Sequence, residues 1–308
     1  MVRGLKMTKS TRIKHTRADR IFDAIVYSVL SLLLLIVIYP LWFVIIASVS
    51  DPSEVAFGHV ILWPEGFSLE GYQQVIGYSK IWRSYLNTIG YTICDVLLTV
   101  TITVMAGYAL SRRNLVGKSG FVIYMMITMF FSGGLIPTYL TVKSLGLANN
   151  PAIVFLLGCV GVRNIIIVRT FIQSNIPESL VEAAFLDGCN HTRFLTQIVL
   201  PLSLPVVSVI ALFTAVGQWN SWFNAMIYLR DEQWMPLQMV LRDLLISQTA
   251  MMQDVLETTS GDNSMASAQL ALSMRYALII VTTLPIMCVY PFLQKYFVKG
   301  MTMGSVKG

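Results

Sequence analysis

Few residues in this sequence have the types and spacing that catalysis or the binding of a nucleotide or metal requires. Gly117-Lys118-Ser119 resembles the end of a phosphate-binding loop, but Arg112 stands where the leading glycine belongs. Such a loop also needs a preceding strand and a complete glycine frame. The histidines lie in three separate polar segments, at His15, His59 and His191. The sequence shows no Ser/His/Asp or metal-ligand arrangement, and it therefore predicts a chain that is not an enzyme and binds no metal, cofactor or nucleotide itself.

The composition indicates an integral membrane protein. Of 308 residues, 55% are apolar and 12% are charged, which is about half the charged fraction of a soluble domain. The apolar residues form runs near the roughly 20 residues that cross about 30 Å of hydrocarbon. The net charge of +6 does not predict nucleic-acid binding, because the basic residues lie in short segments beside apolar runs. The free cysteines are expected to be small packing residues: Cys94, Cys159, Cys189 and Cys288.

The apolar runs predict an all-α membrane protein with six transmembrane helices. The predicted spans are residues 24–49, 85–110, 121–142, 152–172, 200–225 and 276–297. The first run is longer than the apolar region of a cleaved signal peptide, which has about 7–15 residues. We therefore interpret it as a retained helix.

The balance of basic and acidic residues differs between the segments that connect the predicted spans. The segment before the first span and the connection between the second and third spans are rich in Lys and Arg. Residues 51–84 and 228–275 instead contain more acidic than basic residues. Because cytoplasmic connections carry the excess of Lys and Arg, we expect both termini to be cytoplasmic and these two connections to be extracellular. The predicted organisation is a basic N-terminal segment (1–23), a six-helix membrane domain (24–299) and a cytoplasmic tail (300–308).

The connection between the fourth and fifth spans, residues 173–199, has the features of two short helices and would be cytoplasmic. Pro177 is typical of a helix start, and Glu178 would complement the positive helix end. Apolar residues follow at helical spacing: Leu180, Val181, Ala184 and Phe185. Gly188 predicts the end of this helix, because glycine readily adopts the left-handed conformation of a helix cap. A second helix follows, with Phe194, Leu195 and Ile198 on one face.

One set of residues in this connection matches a known signature. The set is Glu182-Ala183-Ala184, Asp187-Gly188, Phe194, Ile198, Leu200-Pro201 and Pro205. It resembles the EAA signature of binding-protein-dependent ABC importer permeases, with nine residues between the glycine and the isoleucine and with Cys189 in place of the more usual alanine. Gln218-Trp219-Asn220 and the tail at 294–308 are similar to the second inner-membrane subunit of the maltose-permease-like carbohydrate branch.

The resemblance implies a type I ABC importer permease fold in the bacterial cell membrane. Two homologous permease subunits would form the pore, two separate ATPase subunits would hydrolyse ATP, and an extracytoplasmic binding protein would deliver the solute. The residues implied to couple this chain to an ATPase are Glu182, Ala183, Ala184, Asp187 and Gly188. Glu182 would pair with a basic residue of the ATPase, and Gly188 would allow close approach and a sharp angle between the loop helices. The tail from Gly300 would also contact the ATPases, or would be a disordered end.

Five residues are candidates for the substrate pathway. Trp219 and Trp222 offer aromatic faces to sugar C–H surfaces, and Asn220 and Asn224 offer amides to sugar hydroxyls. The two tryptophans would also suit an interfacial aromatic belt. Asp95 lies well inside the second span, where a carboxylate is costly, so it either lines the pathway, pairs with a cation or is a hydrogen-bonded packing residue.

The resemblance predicts a sugar or oligosaccharide as cargo. The signature reports coupling and not cargo, so a permease for peptides or another small solute is the alternative. An ion-gradient-driven transporter would show internal repeats and broken helices around midplane charges. The sequence shows no convincing repeat, and Asp95 is the only clear midplane acid.

Overall fold

The computed structural model describes residues 16–257, 269, 271–289 and 291, with the backbone alone at 248–257. Within these residues the chain is helical, and the single bridge between extended segments joins Ser50 to Phe67. The first eight helices are α1 (Arg17–Ser48), α2 (Pro52–Ala56), α3 (Glu70–Gly77), α4 (Ser79–Ser111), α5 (Lys118–Phe130), α6 (Leu135–Ser144), α7 (Ile153–Leu156) and α8 (Val162–Asn175). The others are α9 (Glu178–Leu186), α10 (His191–Phe194), α11 (Leu200–Leu202), α12 (Leu204–Trp219), α13 (Phe223–Tyr228), α14 (Leu237–Glu257) and α15 (Ala271–Val289).

Three helices of the described chain are long and apolar enough to cross a membrane by themselves: α1, α4 and α15. α1 begins at a capping box, in which the Thr16 hydroxyl accepts from the Asp19 N–H and the Asp19 carboxylate accepts from the Thr16 N–H. Most of its apolar side chains are exposed, and its buried residues are confined to its last three positions. An exposed helix of this composition suits contact with lipid or with another subunit.

The predicted third and fifth spans are sharply bent. α5 and α6 meet at 112°, and the break contains Gly134 at φ +82°, a conformation that glycine adopts without strain. The helical stretch from His191 to Leu202 meets α12 at 80°, with Ser203 at the break and Pro205 in the first turn of α12. If each bent pair counts as one span, the described residues contain up to five candidate spans.

The predicted fourth span, residues 152–172, is divided and is not one of these five candidates. A short helix, α7, is followed by the turn at residues 157–161 and then by α8, which has 14 residues and continues to Asn175. Gly158 and Gly161 lie in this turn, where the absence of a side chain weakens a helix. Arg163 follows at once and interrupts the apolar run. For the predicted sixth span, α15 covers 271–289, and most of 290–297 lies outside the described residues.

α4 is the central helix and packs closely against α8 and α12. A methyl group built on Gly107 would lie 2.7 Å from Cγ1 of Val168, so the α4 and α8 backbones approach more closely than a side chain would permit. The largest buried cluster lies near this contact and combines residues of α4, α8, α9, α10 and α12. α4 therefore connects the loop between α8 and α12 to the rest of the bundle.

The connection predicted at 228–275 is largely helical in its described part, because α14 occupies 237–257. Polar contacts tie its start to α4: Lys80 Nζ donates to Glu232 Oε2 over 2.6 Å, and the Tyr91 hydroxyl donates to the Trp234 carbonyl over 2.8 Å. The Leu237 N–H donates to the buried Thr88 hydroxyl over 2.8 Å. The predicted exposed tip at 260–264 lies outside the described residues. The connection at 51–84 contains α2, α3 and the first turns of α4.

Candidate functional site

The residues that match the EAA signature form a helix, a glycine turn and a second helix. We call residues 177–202 the elbow. α9 begins directly after Pro177, as the sequence predicts, and Glu178 lies in its first turn. The second arm runs through α10, a single π-helical turn at Leu195–Val199 and α11. The Asn190 side chain caps this arm, because its Oδ1 accepts from the Arg193 N–H over 2.8 Å.

α9 ends in a Schellman motif. The Cys189 N–H donates to the Ala184 carbonyl over 2.9 Å, and the Gly188 N–H donates to the Phe185 carbonyl over 3.0 Å. Gly188 has φ +78°, so the prediction that this glycine ends the helix is confirmed. A methyl group built on Gly188 would meet no atom within 4 Å. Within this chain, glycine is therefore required by the backbone conformation and not by close packing.

The inner face of α9 is held by an aromatic cluster. Val181 and Ala184 are buried, and the Phe185 ring lies 5.9 Å from Phe194 and 4.8 Å from His191. The cluster continues to α4, where the Tyr108 ring packs against Phe194 and its hydroxyl lies 3.1 Å from Nδ1 of His191. These contacts join both arms of the elbow to the end of α4, so that the three segments can move together.

Arg112 closes this cluster on the side of α4. Its guanidinium carbon lies 4.8 Å from the centre of the Tyr108 ring and 5.5 Å from that of Phe194. Such cation–π contacts contribute about 0.5–2 kcal/mol, depending on desolvation. Beside it, Arg113 Nε lies 3.6 Å from Glu178 Oε2, but Arg113 is exposed and Glu178 partly exposed, so this ion pair contributes little.

The outer face of α9 has the opposite character. Glu182, Ala183 and Asp187 are exposed, and Leu186 is the most exposed large apolar residue of the elbow, at 88%. Glu182 makes no ion pair with the described residues. A cavity of about 880 Å³ is lined by the Arg112–Leu115 turn and by α9, including Glu182 and Leu186. The helix therefore offers a carboxylate, a small residue and an apolar side chain to a partner surface.

A second cavity, which we call the midspan cavity, lies between α4, α8 and α12. It has a volume of about 540 Å³. Its polar lining residues are Asp95, Thr99, Arg163, Asn164, Thr214, Gln218 and Ser221. Asp95 lies halfway along the 33-residue α4, is buried and accepts from the Thr99 hydroxyl over 3.0 Å. A carboxylate at this depth of a spanning helix is costly, and here it is adjacent to other polar groups.

The other four predicted pathway residues lie beyond this cavity, at the end of α12. Trp219 is buried and points away, because its Nε1 donates to the Thr282 carbonyl of α15 over 3.1 Å. Asn220 is exposed and its Nδ2 donates to the Val216 carbonyl. Trp222 stacks under the Arg242 guanidinium at 4.8 Å, and Asn224 lies in the first turn of α13. The structure brings Asp95 into the midspan cavity and does not bring these four residues there.

Several residues of both sites were not identified from the sequence. Tyr108 lies in an apolar run, where nothing in the pattern distinguishes it from a lipid-facing residue. His191 seemed isolated, yet it lies between Tyr108 and Phe185. The Asn190–Arg193 cap was the one detectable signal, because asparagine is a preferred helix cap. Gln218 belongs to the Gln218-Trp219-Asn220 resemblance, but nothing in the sequence pattern indicated that it lines the cavity.

The chain is similar to known proteins over nearly its whole length. Residues 75–303 match the family described as "Binding-protein-dependent transport system inner membrane component". The chain is 39% identical over 290 residues to the polygalacturonan/rhamnogalacturonan transport system permease protein YtcP of Bacillus subtilis, covering 94% of this chain and 99% of the relative. It is 26% identical over 306 residues to the maltodextrin transport system permease protein MalD of Streptococcus pneumoniae, covering 98% and 100%.

A solved structure has the same fold. It is the crystal structure of a bacterial ABC transporter involved in the import of the acidic polysaccharide alginate, and it matches with a TM-score of 0.83 and 31% identity. The match covers 93% of this chain and 100% of the other. The chain is thus a multi-pass membrane protein with the type I permease fold and is a transporter subunit rather than an enzyme. It belongs to the family of inner-membrane permease components of binding-protein-dependent ABC importers.

Proposed function

We propose that this chain forms half of the pore of an ATP-driven importer that carries a sugar or oligosaccharide. The observation that carries the proposal is the elbow, whose inner face is packed onto α4 while its outer face exposes Glu182, Ala183 and Leu186. A surface of this kind, fixed to a spanning helix, suits transmission of a movement from a partner into the membrane domain.

The coupling roles follow from the two faces of α9. Glu182 would form a charge pair with a basic residue of an ATPase subunit, and Ala183 would permit close approach of the two surfaces. Ala184 is buried and would keep the helix on the aromatic cluster. Asp187 and Gly188 would shape the turn, with Gly188 supplying the left-handed backbone. ATP would be bound and hydrolysed by the ATPase subunits, and this chain would bind no cofactor.

The proposed topology has six spans with both termini in the cytoplasm. The spans would be α1, α4, the bent pair of α5 and α6, the divided pair of α7 and α8, α12, and α15. The elbow, within the predicted cytoplasmic connection 173–199, lies at the end of α4 that is followed by Arg112 and Arg113, which the positive-inside rule assigns to the cytoplasm. The connections 51–84 and 228–275 would be extracellular, and 1–23 and 300–308 would be cytoplasmic segments around the domain at 24–299.

The proposed partners are a second homologous permease subunit, two ATPase subunits and an extracytoplasmic solute-binding protein. The exposed apolar surfaces of α1, α5 and α6 support contacts with membrane lipids and with the second permease. We propose no role in nucleic-acid binding, because the basic residues of the sequence lie in short segments beside apolar runs.

The carbohydrate cargo is supported by two similar permeases, which are named for the transport of polygalacturonan/rhamnogalacturonan and of maltodextrin, and by the matching structure of an ABC transporter involved in the import of alginate. Asp95 is supported as a pathway residue by its place in the midspan cavity. Trp219, Asn220, Trp222 and Asn224 would act only at the outer end of the pathway, because they lie beyond this cavity.

The test is to purify the chain with an affinity tag from its native membrane. We expect a second permease and an ATPase to copurify, and we expect the reconstituted complex to show ATPase activity that rises when the cognate binding protein is loaded with an oligosaccharide. Stimulation by a loaded peptide and by no sugar would contradict the proposed cargo. Purification without any ATPase would contradict the proposed coupling.

A further inference from the structure

The charges in the midspan cavity differ in their exposure. Asp95 is 7% exposed and its carboxylate accepts a hydrogen bond from the Thr99 hydroxyl, so little of the carboxylate is accessible. Arg163 lines the same cavity with an exposed side chain. A ligand that enters the cavity would therefore meet the guanidinium more readily than the carboxylate.

Three basic residues near the spans have partners that Arg163 lacks. Lys80 pairs with Glu232, and Arg113 pairs with Glu178. Arg112 lies on two aromatic rings. Arg163 makes no ion pair, hydrogen bond or ring contact with the described residues, and Asp95 is not within 4.0 Å of it. An unneutralised guanidinium at membrane depth is costly unless water or a ligand solvates it.

The position of Arg163 on its helix adds to the positive potential. Arg163 is the second residue of the 14-residue α8, whose N-terminus carries the positive end of the helix dipole. Asn164 follows in the same wall, and Gln218 faces it from α12. The cavity thus combines one accessible cation with neutral amide donors and acceptors.

The remaining lining suits a sugar ring. Phe213 is 63% exposed and contributes an aromatic face to the cavity. Thr214 and Ser221 contribute hydroxyls. The volume of about 540 Å³ lies within the range of about 300–1,000 Å³ that is usual for small-molecule sites.

We propose that the midspan cavity receives acidic sugar units, that is, uronates, and that Arg163 binds their carboxylate. A guanidinium matches a carboxylate through two parallel N–H···O bonds, whereas a neutral sugar offers no group of that geometry. The amides, hydroxyls and the Phe213 ring then contact the hydroxyls and C–H face of the same unit. This inference rests on the proposed carbohydrate import and narrows its substrate class.

The test uses the complete importer, with its second permease and its ATPases, in lipid nanodiscs and without the binding protein. Leaving out the binding protein prevents its own selectivity from deciding the result. The probes are radiolabelled trigalacturonate and the same trisaccharide with its carboxylates reduced to alcohols. We expect saturable binding of trigalacturonate to the wild-type complex, with an affinity about tenfold or more above that of the neutral trisaccharide.

Variants separate binding from a structural role. Arg163→Gln is expected to weaken trigalacturonate binding about tenfold or more and to leave binding of the neutral trisaccharide unchanged. Arg163→Lys, which keeps the charge but not the paired donors, is expected to retain part of the affinity. Arg230→Gln removes the same charge from an exposed residue outside the cavity and is expected to change nothing.

Three results would overturn the proposal. Equal affinities of the wild type for the charged and neutral trisaccharides, or no binding of trigalacturonate, would exclude an acidic-sugar site. An equal loss of both ligands in Arg163→Gln would show that Arg163 only supports the assembly. If only the neutral trisaccharide binds, the acidic-sugar site is excluded but the proposed carbohydrate import is not. The proposed function itself would be rejected if the binding protein, loaded with any sugar, failed to stimulate the ATPase.

Discussion

The Tyr108 hydroxyl lies 3.1 Å from Nδ1 of His191, and this contact joins the end of α4 to the second arm of the elbow. The Tyr108 ring packs at the same time against Phe194, which is fully buried. A displacement of the elbow is therefore resisted by a hydrogen bond and by ring packing, both directed at a spanning helix. This is the arrangement that a coupling element requires.

Replacement of Tyr108 separates these two contributions. Tyr108→Phe loses the hydrogen bond at a cost of about 1 kcal/mol. Tyr108→Ala also empties the ring site, at a cost of about 3–5 kcal/mol. We expect the first variant to lower the Tm of the purified importer slightly, and the second to lower it strongly and to reduce the sugar transported per ATP hydrolysed. Wild-type coupling in Tyr108→Ala would show that the cluster does not hold the elbow.

Substitutions of Gly188 test whether glycine is needed for its backbone conformation or for close approach of a partner. Gly188→Ala places a side chain at φ +78° and is expected to cost about 1–2 kcal/mol in stability. Gly188→Leu should add the same backbone strain, because it has the same φ and no atom lies within 4 Å of its Cβ. Gly188→Asn should be tolerated best, since asparagine adopts this conformation more readily.

The comparison of the alanine and leucine variants reports on the partner. If Gly188 lies against an ATPase, leucine should reduce ATPase copurification well beyond alanine at equal thermal stability of the chain. Equal copurification of the two variants would contradict close approach of a partner at this residue. Wild-type stability of both variants would contradict the expected strain of a side chain at this backbone conformation.

Two buried threonines of α4 differ in whether their hydroxyls form a hydrogen bond, so the same substitution at each can be compared. The Thr88 hydroxyl accepts from the Leu237 N–H, so Thr88→Val leaves that buried N–H without a partner and is expected to cost about 1–3 kcal/mol. The Thr103 hydroxyl is buried and makes no hydrogen bond with the described residues, so Thr103→Val should be neutral or stabilising. Thermal unfolding of the purified complex measures both changes. A larger loss for Thr103→Val would contradict this assignment of the hydrogen bonds.

The sequence was sufficient for the elbow and insufficient for the spans around it. Pro177 and Gly188 are local signals, and the helix between them begins and ends as they predict. The bends depend on packing as well as on local signals, so the pattern of apolar residues predicted continuous spans at 121–142 and 200–225. Gly134 and Pro205 were visible in the sequence, but the angles of 112° and 80° were not.

The midspan cavity shows the same limit. Asp95 was noticeable because a carboxylate in an apolar run is unusual. Trp219 was predicted to line the pathway because of its aromatic ring. Successive residues of a helix point about 100° apart, however. Gln218 therefore faces the cavity, while Trp219 packs against α15. Arg163 lies within the predicted fourth span at 152–172, and only the fold shows that it lines this cavity.

The central claim is that the outer face of α9 transmits the force of ATP hydrolysis, and Glu182 tests it most directly. The measurement is sugar-stimulated ATPase activity and sugar uptake of the reconstituted importer with Glu182→Gln, beside Glu178→Gln on the same helix. Glu178 forms only an exposed pair with Arg113, so its variant should remain near wild type. Glu182→Gln should lower both activities about tenfold or more while the permease remains folded in the membrane. Wild-type uptake in Glu182→Gln, or an equal loss in both variants, would contradict the account.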